Sequence, residues 1–133
     1  SLSTCIFGIL ASQIGYDEEA YKYFSQSARM DLDDMHDNFY AGIHAANMAG
    51  TWQGIVFGFA GVRSNTGELT IHPKLPEQWK SYEFCVEYHG SDMRIIEQGK
   101  VTYKLLNQVP ITFKSNHEPI TLNKEGEEYV QEI

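Results

Sequence analysis

The first half of the chain carries hydrophobic residues at helical spacing. From Leu2 to Ile14 apolar side chains recur three or four residues apart, and Gly15 is a natural stop, so a first helix is predicted. Acidic residues from Asp17 onward begin a second helix, because the helix dipole favours negative charge in the first turn. The apolar stripe of this second helix is expected to consist of Ala20, Tyr21, Phe24 and Ala28.

A third helix is predicted from an N-cap at Asn38 to about Gly61. Small residues recur at every fourth position and form a ridge that another backbone can approach closely: Gly42, Ala46, Gly50, Gly54 and Gly58. From Ala41 to Val62 no Asp, Glu, Lys or Arg occurs, which is long enough for a membrane span. Several polar side chains, including His44, would be unfavourable in lipid, so we expect a helix buried within a larger helical layer instead.

The second half changes to a period of two. Apolar residues alternate with polar neighbours at Leu69/Ile71, Phe84/Val86/Tyr88, Val101/Tyr103/Leu105, Val109/Ile111/Phe113 and Ile120/Leu122. This alternation predicts half-buried antiparallel strands. Turns are predicted at Asn65-Thr66-Gly67, His89-Gly90-Ser91, Gln98-Gly99 and Lys124-Glu125-Gly126. The expected fold class is α+β: helices followed by a small antiparallel β-sandwich, joined near Arg63–Glu68.

Composition narrows the class of protein. Ten Lys and Arg stand against eighteen Asp and Glu in 133 residues, and the net charge of −8 argues against a nucleic-acid partner. A hydrophobic fraction of 42% argues against general disorder. Cys5 and Cys85 are the only cysteines, which is too few for a disulfide framework or a zinc site, so a reduced, cytoplasmic setting is expected. The chain does not begin with Met and opens inside a predicted helix, so we expect a fragment of a longer protein.

The acidic loop Asp31–Asn38 invites a calcium interpretation, which fails on spacing. An EF-hand needs an oxygen ligand, a glycine and a closing glutamate where this chain has Met35, His36 and Gly42. Capping of the neighbouring helices is the preferred interpretation, and no metal site is predicted.

His44 lies near the start of the third helix, between small residues. A buried histidine with a hydrogen-bond partner is the simpler interpretation, but an imidazole beside a helix N-terminus also suits an anion. Ser1 and Ser3 open the first helix, where Ser3 is a candidate N-cap and both hydroxyls are candidate anion donors. Trp52 and Trp79 are interpreted as packing residues. The other histidines, His36, His72, His89 and His117, are scattered and form no motif.

Several ungapped blocks resemble the C-terminal part of glycoside hydrolase family 65. The blocks are Ser1-Leu2-Ser3, Tyr23-Phe24, Ala28–Asp34, Gly42–Trp52, Gly58–Arg63 and Leu69–Trp79. The resemblance runs from Ser1 to about Tyr88 and is specific, because the blocks agree in order. It implies that residues 1–63 are the last helices of an (α/α)6 barrel and that residues 64–133 are most of a C-terminal β-sandwich.

The same resemblance implies an activity for the intact protein. Family members, such as maltose, trehalose and kojibiose phosphorylases, cleave an α-glucosidic bond with inorganic phosphate, invert the anomeric centre and release β-glucose 1-phosphate. The general acid is a Glu upstream of this chain, so no catalytic residue is assigned within it. Carried over, the phosphate pocket nominates Ser1, Ser3 and His44. Phosphate is a co-substrate, no cofactor is implied, and the intact enzyme is expected to be a homodimer.

Two departures from the family pattern leave the substrate open. Many relatives have a His four residues after the second Ser, where this chain has Phe7, and Ala60 and Val62 replace a commoner Gly and Met. Two alternatives stay open: an inverting hydrolase of related fold that uses water, and a non-catalytic sugar-binding module centred on the β-sandwich. The sequence does not specify the disaccharide. Alone, the chain is expected to be inactive, with exposed apolar surface on its helices and therefore self-association or domain contacts through the Gly-rich helix.

Overall fold

A computed structural model describes residues 3–30, 33, 45–64 and 67–133. The chain divides into two compact units, Ser1–Phe59 and Ala60–Ile133, which we name the helical unit and the β unit. The helical unit contains α1 (Thr4–Gln13), α2 (Asp17–Ala28), α3 (Ala45–Gln53) and a π-helical segment (Gly54–Phe59). The α+β class is therefore confirmed.

The first two helices form where the sequence predicts them. Gly15 ends α1 with a φ of +87°, a conformation that favours glycine, and α2 follows with its three acids in the first turn. The pair packs closely at Gly8, where an added Cβ would lie 3.4 Å from the carbonyl oxygen of Ala20. In α2 the predicted stripe is partly wrong, because Ala28 is exposed while Ser27 is buried.

The buried face of α1 is made of small residues: Cys5, Gly8, Ala11 and Ser12. Its large apolar residues are exposed by 47–66%: Ile6, Phe7, Leu10 and Ile14. Ile6, Leu10 and Ile14, which the helical spacing was expected to bury, are therefore on the outside. The prediction of exposed apolar surface on the helices is confirmed, and that surface lies on α1.

The Gly-rich helix is buried inside its own unit. An added Cβ would lie 2.7 Å from Cys5 Sγ at Gly50, 2.9 Å from Phe24 Cδ2 at Gly54 and 3.7 Å from Ile9 Cα at Gly58. The predicted ridge of small residues is confirmed at these three positions, and Gly42 lies outside the described residues. Self-association or domain contacts through the Gly-rich helix stay a prediction, and such contacts would use another face, since α1 and α2 cover the ridge.

The end of this helix differs from the prediction. The last turns, Gly54–Phe59, are π-helical, and Gly61 leaves the helix with a φ of +62°. The carbonyl oxygen of Gly58 accepts a hydrogen bond from Ser12 Oγ at 3.0 Å, so a side chain of α1 takes the place of a backbone partner. Among the described residues, no helix is long and apolar enough to cross a membrane.

The β unit contains two sheets. One has the order β1–β5–β6 and the other β2–β3–β4–β7. The strands are β1 (Thr70–Ile71), β2 (Tyr82–Tyr88), β3 (Ser91–Glu97), β4 (Lys100–Leu105), β5 (Ile111–Ser115), β6 (Glu118–Leu122) and β7 (Glu128–Glu132). The antiparallel prediction holds for every strand pair but one, because β1 runs parallel to β5 with Thr70 opposite Lys114. β1 and β5 are far apart in sequence, so no tight hairpin imposes antiparallel pairing.

The inner faces of the two sheets meet in a well-buried core. The ring of Tyr103 on β4 lies 4.8 Å from the ring of Phe113 on β5, centroid to centroid. Other fully buried core residues are Ile71, Met93, Ile95, Val101, Leu105 and Leu122. A buried hydrogen-bond chain also joins the sheets: Tyr103 Oη lies 2.5 Å from Ser115 Oγ, which donates to Gln131 Oε1.

Two strands lack the pattern used to predict the others. On β3 the inward positions alternate with partly exposed ones but include Ser91 and Glu97, so polar residues interrupt the apolar series. On β7 the inward residue is Gln131, whereas Val130 is 46% exposed. Val109, predicted as part of a strand, precedes β5 and is exposed.

Candidate functional site

Of the three residues nominated for phosphate, Ser3 is described, whereas Ser1 and His44 lie outside the described residues. Ser3 directly precedes α1 and is exposed, with φ −84° and ψ −3°. Its side chain makes no N-cap hydrogen bond, so the capping role considered for it is not the one observed. Its carbonyl oxygen accepts from the backbone N–H of Phe7 at 3.1 Å and so begins the helix.

α1 and the described part of α3 run in the same direction. Gly50 contacts Cys5 near the start of α1, and Gly58 contacts Ile9 one turn later. The start of α1 carries the positive end of a helix dipole, which suits an anion. The predicted start of the third helix at Asn38, and His44 with it, lie outside the described residues.

Phe7 stands where the resemblance leads to the expectation of a histidine. Its ring is 49% exposed and lies 5.7 Å from the ring of Tyr23 on α2, centroid to centroid. It is therefore packed on α2 at the surface of the helical unit. A phenyl ring there donates no hydrogen bond, so phosphate recognition by this chain would depend on the other groups at this end.

The acidic loop is described only at Asp33, which is held by Arg29. Arg29 Nη2 lies 2.8 Å from Asp33 Oδ1, and Arg29 Nε donates to Oδ2 at 2.9 Å. This hydrogen-bonded pairing lowers the pKa of the Asp33 carboxyl. A carboxylate held by a guanidinium in this way fits a structural role for the loop. No group of three or more metal-ligating side chains occurs within the described residues.

The two tryptophans differ from each other. Trp79 is half-buried and packs its ring edge-to-face on Tyr82, as expected for a packing residue. Trp52 is 49% exposed and contacts Phe57, so the prediction that it is buried is wrong. Its exposure has the same cause as that of the large side chains of α1, since the helical unit covers its small-residue faces and leaves the large ones outside.

Four basic side chains converge in the β unit, and we name Arg63, His72, Lys74 and His117 the basic cluster. The rings of His72 and His117 lie 5.1 Å apart, centroid to centroid. The pKa of His72 is lowered by partial burial first and then by the positive charges of His117, Arg63 and Lys74. The sequence separates these residues, and pairing of β1 with β5 brings them together.

The backbone fixes the two histidines of the basic cluster. Asn116 and His117 have φ values of 49° and 71° and form the tight turn between β5 and β6. The N–H of His72 donates to the carbonyl oxygen of Ala60 at 3.1 Å, and the N–H of Asn116 donates to that of Ile71 at 3.0 Å. Asn116 and His117 both adopt a left-handed backbone conformation. This turn was not predicted from the sequence, because neither residue is glycine, which usually marks such a conformation.

A buried carboxyl group lies in the core of the β unit. Glu97 is 0% exposed; its Oε1 accepts from the N–H of Gly99 at 2.7 Å, while Oε2 has no hydrogen-bond partner. Burial raises the pKa of Glu97. Tyr82, directly opposite Glu97 on β2, is buried as well. A sugar has no access to this position, so Glu97 is a structural group.

Comparison with known proteins matches both units. The family model "Glycosyl hydrolase family 65 central catalytic domain" matches residues 1–53, and "Glycosyl hydrolase family 65, C-terminal domain" matches residues 62–122. The chain is 47% identical over 125 residues, or 93% of its length, to an alpha,alpha-trehalose phosphorylase of Thermoanaerobacter brockii. It is 45% identical over 115 residues, or 86% of its length, to the alpha,alpha-trehalose phosphorylase of Geobacillus stearothermophilus.

Each of these relatives is much longer than the chain, which covers 16% of the first and 15% of the second. A solved structure provisionally assigned as a kojibiose phosphorylase from human microbiome superposes with a TM-score of 0.88 over 98% of this chain and 18% of that one, at 24% identity. At that identity the superposition establishes the fold alone.

Proposed function

The chain belongs to glycosyl hydrolase family 65, and on that basis we propose that it forms part of an inverting disaccharide phosphorylase. The intact enzyme would cleave an α-glucosidic disaccharide with inorganic phosphate and release β-glucose 1-phosphate and glucose. Trehalose is the first substrate to assay, because two trehalose phosphorylases are 45% and 47% identical to this chain. We further propose a cytoplasmic homodimer without a cofactor.

Residues 1–63 are proposed to be the last helices of an (α/α)6 barrel, and residues 64–133 most of the β-sandwich that follows it. The exposed apolar residues of α1 support the barrel. A surface of Ile6, Phe7, Leu10 and Ile14 is unusual on an isolated unit and is what a helix would present to neighbouring helices.

The proposed chemistry divides the work between this chain and the rest of the enzyme. A glutamic acid outside residues 1–133 would protonate the leaving oxygen while phosphate attacks the opposite face of the glucosyl ring. A hydrolase needs a second carboxylate to activate water, whereas phosphate is already an anionic nucleophile. This chain would hold that phosphate in line through the hydroxyls of Ser1 and Ser3 and the imidazole of His44.

The observation that supports the phosphate site is the parallel direction of α1 and the described part of α3. If the third helix begins where the sequence predicts, near Asn38, both helix N-termini and His44 would lie toward one end of the helical unit. Serine hydroxyls, helix N–H groups and an imidazole are all donors, and together they match the acceptor oxygens of phosphate.

The test of the activity uses a protein that extends this chain to the length of its relatives. Trehalose, maltose and kojibiose would be supplied with and without phosphate, while glucose and glucose 1-phosphate are measured. We expect turnover only with phosphate. Release of glucose without phosphate would identify a hydrolase instead, and binding of saccharide by residues 64–133 without turnover by the longer protein would favour a sugar-binding module.

The phosphate site is tested by His44→Ala in the same longer protein. Loss of a hydrogen bond to a charged group weakens binding by about 1.5–3 kcal/mol, so the KM for phosphate should rise roughly ten- to hundredfold. The KM for the disaccharide should change far less. An unchanged KM for phosphate with a raised KM for the disaccharide would show that His44 contacts the sugar.

The 133-residue chain itself is expected to be catalytically inactive. The carboxyl group buried within its described residues, Glu97, is enclosed in the β-unit core and cannot reach a sugar. Assays of the purified chain with the same three disaccharides should give no product above the blank. Turnover that persists after repurification would show that the general acid lies within these residues.

A further inference from the structure

We propose that the basic cluster of Arg63, His72, Lys74 and His117 binds a phosphate-type oxyanion, either inorganic phosphate or the phosphate group of a sugar phosphate. The inference does not depend on the proposed catalytic activity. All four residues belong to the β unit, and none is shared with the site nominated at Ser1, Ser3 and His44.

The first argument is geometric. His72 and His117 are both exposed, and the 5.1 Å between their ring centroids allows one oxyanion to accept hydrogen bonds from both imidazoles. Arg63 pairs with Thr70, and Thr70 and His72 lie two residues apart, so the side chains of Arg63 and His72 emerge on the same face of the sheet. Lys74 follows two residues later along the same segment.

The second argument is preorganisation. Backbone hydrogen bonds hold His72 and the turn at Asn116 and His117, as described above. Gly61 approaches His72 so closely that an added Cβ would lie 2.9 Å from the carbonyl oxygen of His72. Three separate chain segments thus place their basic groups together on a paired backbone, so that a bound anion would not have to order a flexible loop.

The third argument is electrostatic. Residues 60–133 carry eight Lys or Arg against eleven Asp or Glu, so a cluster of one sign is a local departure from a net negative unit. Among the acids near the cluster, Glu118 accepts from Tyr129 Oη and Gln131 Nε2, and Glu68 lies 3.2 Å from Lys114. An oxyanion would offset the mutual repulsion that lowers the pKa of His72, whereas a metal cation would increase it.

The experiment is an NMR titration of the imidazole groups of the 133-residue chain against pH. It would be run in chloride, in inorganic phosphate and in glucose 1-phosphate at constant ionic strength. Either phosphate ligand should raise the pKa of both His72 and His117, because a bound anion favours the protonated ring. His89, exposed at the turn between β2 and β3, is an internal reference that should not respond.

Variants that each remove one positive charge test which residues bind the anion. Lys74→Gln and Arg63→Gln should each weaken phosphate binding by about tenfold, the loss expected for one charge-assisted hydrogen bond. Lys100→Gln removes the same charge from an exposed position at the start of β4 and should leave the affinity unchanged. His44→Ala should also leave the response of His72 intact, which separates this site from the one proposed for catalysis.

The outcomes are decisive in both directions. Tighter binding of phosphate identifies the free ion as the ligand, and tighter binding of glucose 1-phosphate identifies a sugar phosphate; both uphold the site. Titration curves that phosphate does not move, an equal shift at His89, or equal losses in Lys74→Gln and Lys100→Gln would overturn it. Loss of the His72 response in His44→Ala would assign the anion to the helical unit.

Discussion

The two units of this chain differ in how many of their large side chains are buried. The β unit encloses most of its large residues, with Tyr103, Phe113 and Met93 almost fully buried. The helical unit buries Met30, Val56 and Phe59, but α1 packs through small residues, and Ile6, Leu10 and Trp52 are about half exposed. A unit that buries its large apolar residues has most of the hydrophobic stabilisation it can obtain, whereas one that exposes them has a surface suited to another layer.

The difference explains why the two units respond differently to the same substitution. In the β unit a deleted side chain leaves a cavity, because the surrounding residues pack from two sheets. In the helical unit a deleted side chain on the outer face of α1 leaves only solvent. Gly50 and Gly54 lie in close contact with the side chains of Cys5 and Phe24, so these positions should be sensitive to added atoms more than to lost ones.

The largest expected effect is that of Phe113→Ala. The ring is 1% exposed and packs on Tyr103 between the two sheets, so its removal should destabilise the β unit by about 3–5 kcal/mol. Urea unfolding followed by NMR signals of the β unit measures this change. Phe7→Ala is the matched control: the same atoms leave a half-exposed position on α1, and the loss should be far smaller. Equal losses would remove the distinction between the two units.

Gly50→Leu tests whether the helical unit is destabilised by added atoms. A Cβ alone would lie 2.7 Å from Cys5 Sγ, so a leucine side chain must separate α1 from α3, at a loss of at least about 1–3 kcal/mol. Thermal unfolding of the helical unit measures it. At Gly58 the nearest atom to an added Cβ is 3.7 Å away, so Gly58→Ala should be tolerated. An unchanged melting temperature for Gly50→Leu would contradict the close contact.

Local spacing along the sequence predicted α1, α2, the ridge at Gly50 to Gly58 and the strands β2 and β4, although the large apolar residues of α1 lie outside. It missed β3 and β7, because an inward Glu97 and an inward Gln131 replace the apolar residues that mark a strand. Gln131 is satisfied by Ser115 and Glu118 on other strands, and a local pattern does not contain such contacts.

Of the two candidate anion sites, only the one at Ser3 was predicted from the sequence. Ser3 was nominated from a resemblance and a helix start, and both are local features. The basic cluster was not predicted, because Arg63, His72 and His117 come together only through the parallel pairing of β1 with β5. Parallel pairing of distant strands is set by the whole fold, so no spacing rule along the chain indicates it.

The stability advantage of Glu97→Gln over the unsubstituted β unit should grow as pH rises. Burial raises the pKa of Glu97, so its protonated form stabilises the folded state at low pH, and that contribution is lost as pH rises from the ordinary glutamate range through the raised value. The groups that face it are the hydroxyls of Tyr82 and Tyr103 and the N–H of Gly99. Glutamine keeps an acceptor for that N–H and does not titrate.

The measurement is urea unfolding of both proteins at a series of pH values. The stability advantage of Glu97→Gln should grow across that window and then level off, reaching the order of 1 kcal/mol, the penalty for an unsatisfied buried polar group. Glu83→Gln is the matched control, because Glu83 is exposed on the neighbouring strand. Stability curves that stay parallel at all pH values would show that folding does not raise the pKa of Glu97.

The smallest expected effect is that of Leu10→Ala in the 133-residue chain. Leu10 is 52% exposed on α1, so the change should alter the free energy of unfolding by no more than about 0.5 kcal/mol. Alanine is the best helix former, which offsets part of the lost contact. Leu105→Ala is the same substitution at a fully buried position and should destabilise the β unit by about 2–5 kcal/mol.

Leu10→Ala becomes informative when it is repeated in a protein extended to the length of the relatives. If other helices cover the outer face of α1 there, Leu10 becomes a buried residue, and its loss should approach that of Leu105→Ala, about 2–5 kcal/mol. The difference in burial between the two units would then disappear, because both would bury their large side chains. A loss that stays near zero in the longer protein would show that this face of α1 is a true surface, and the barrel placement of residues 1–63 would be wrong.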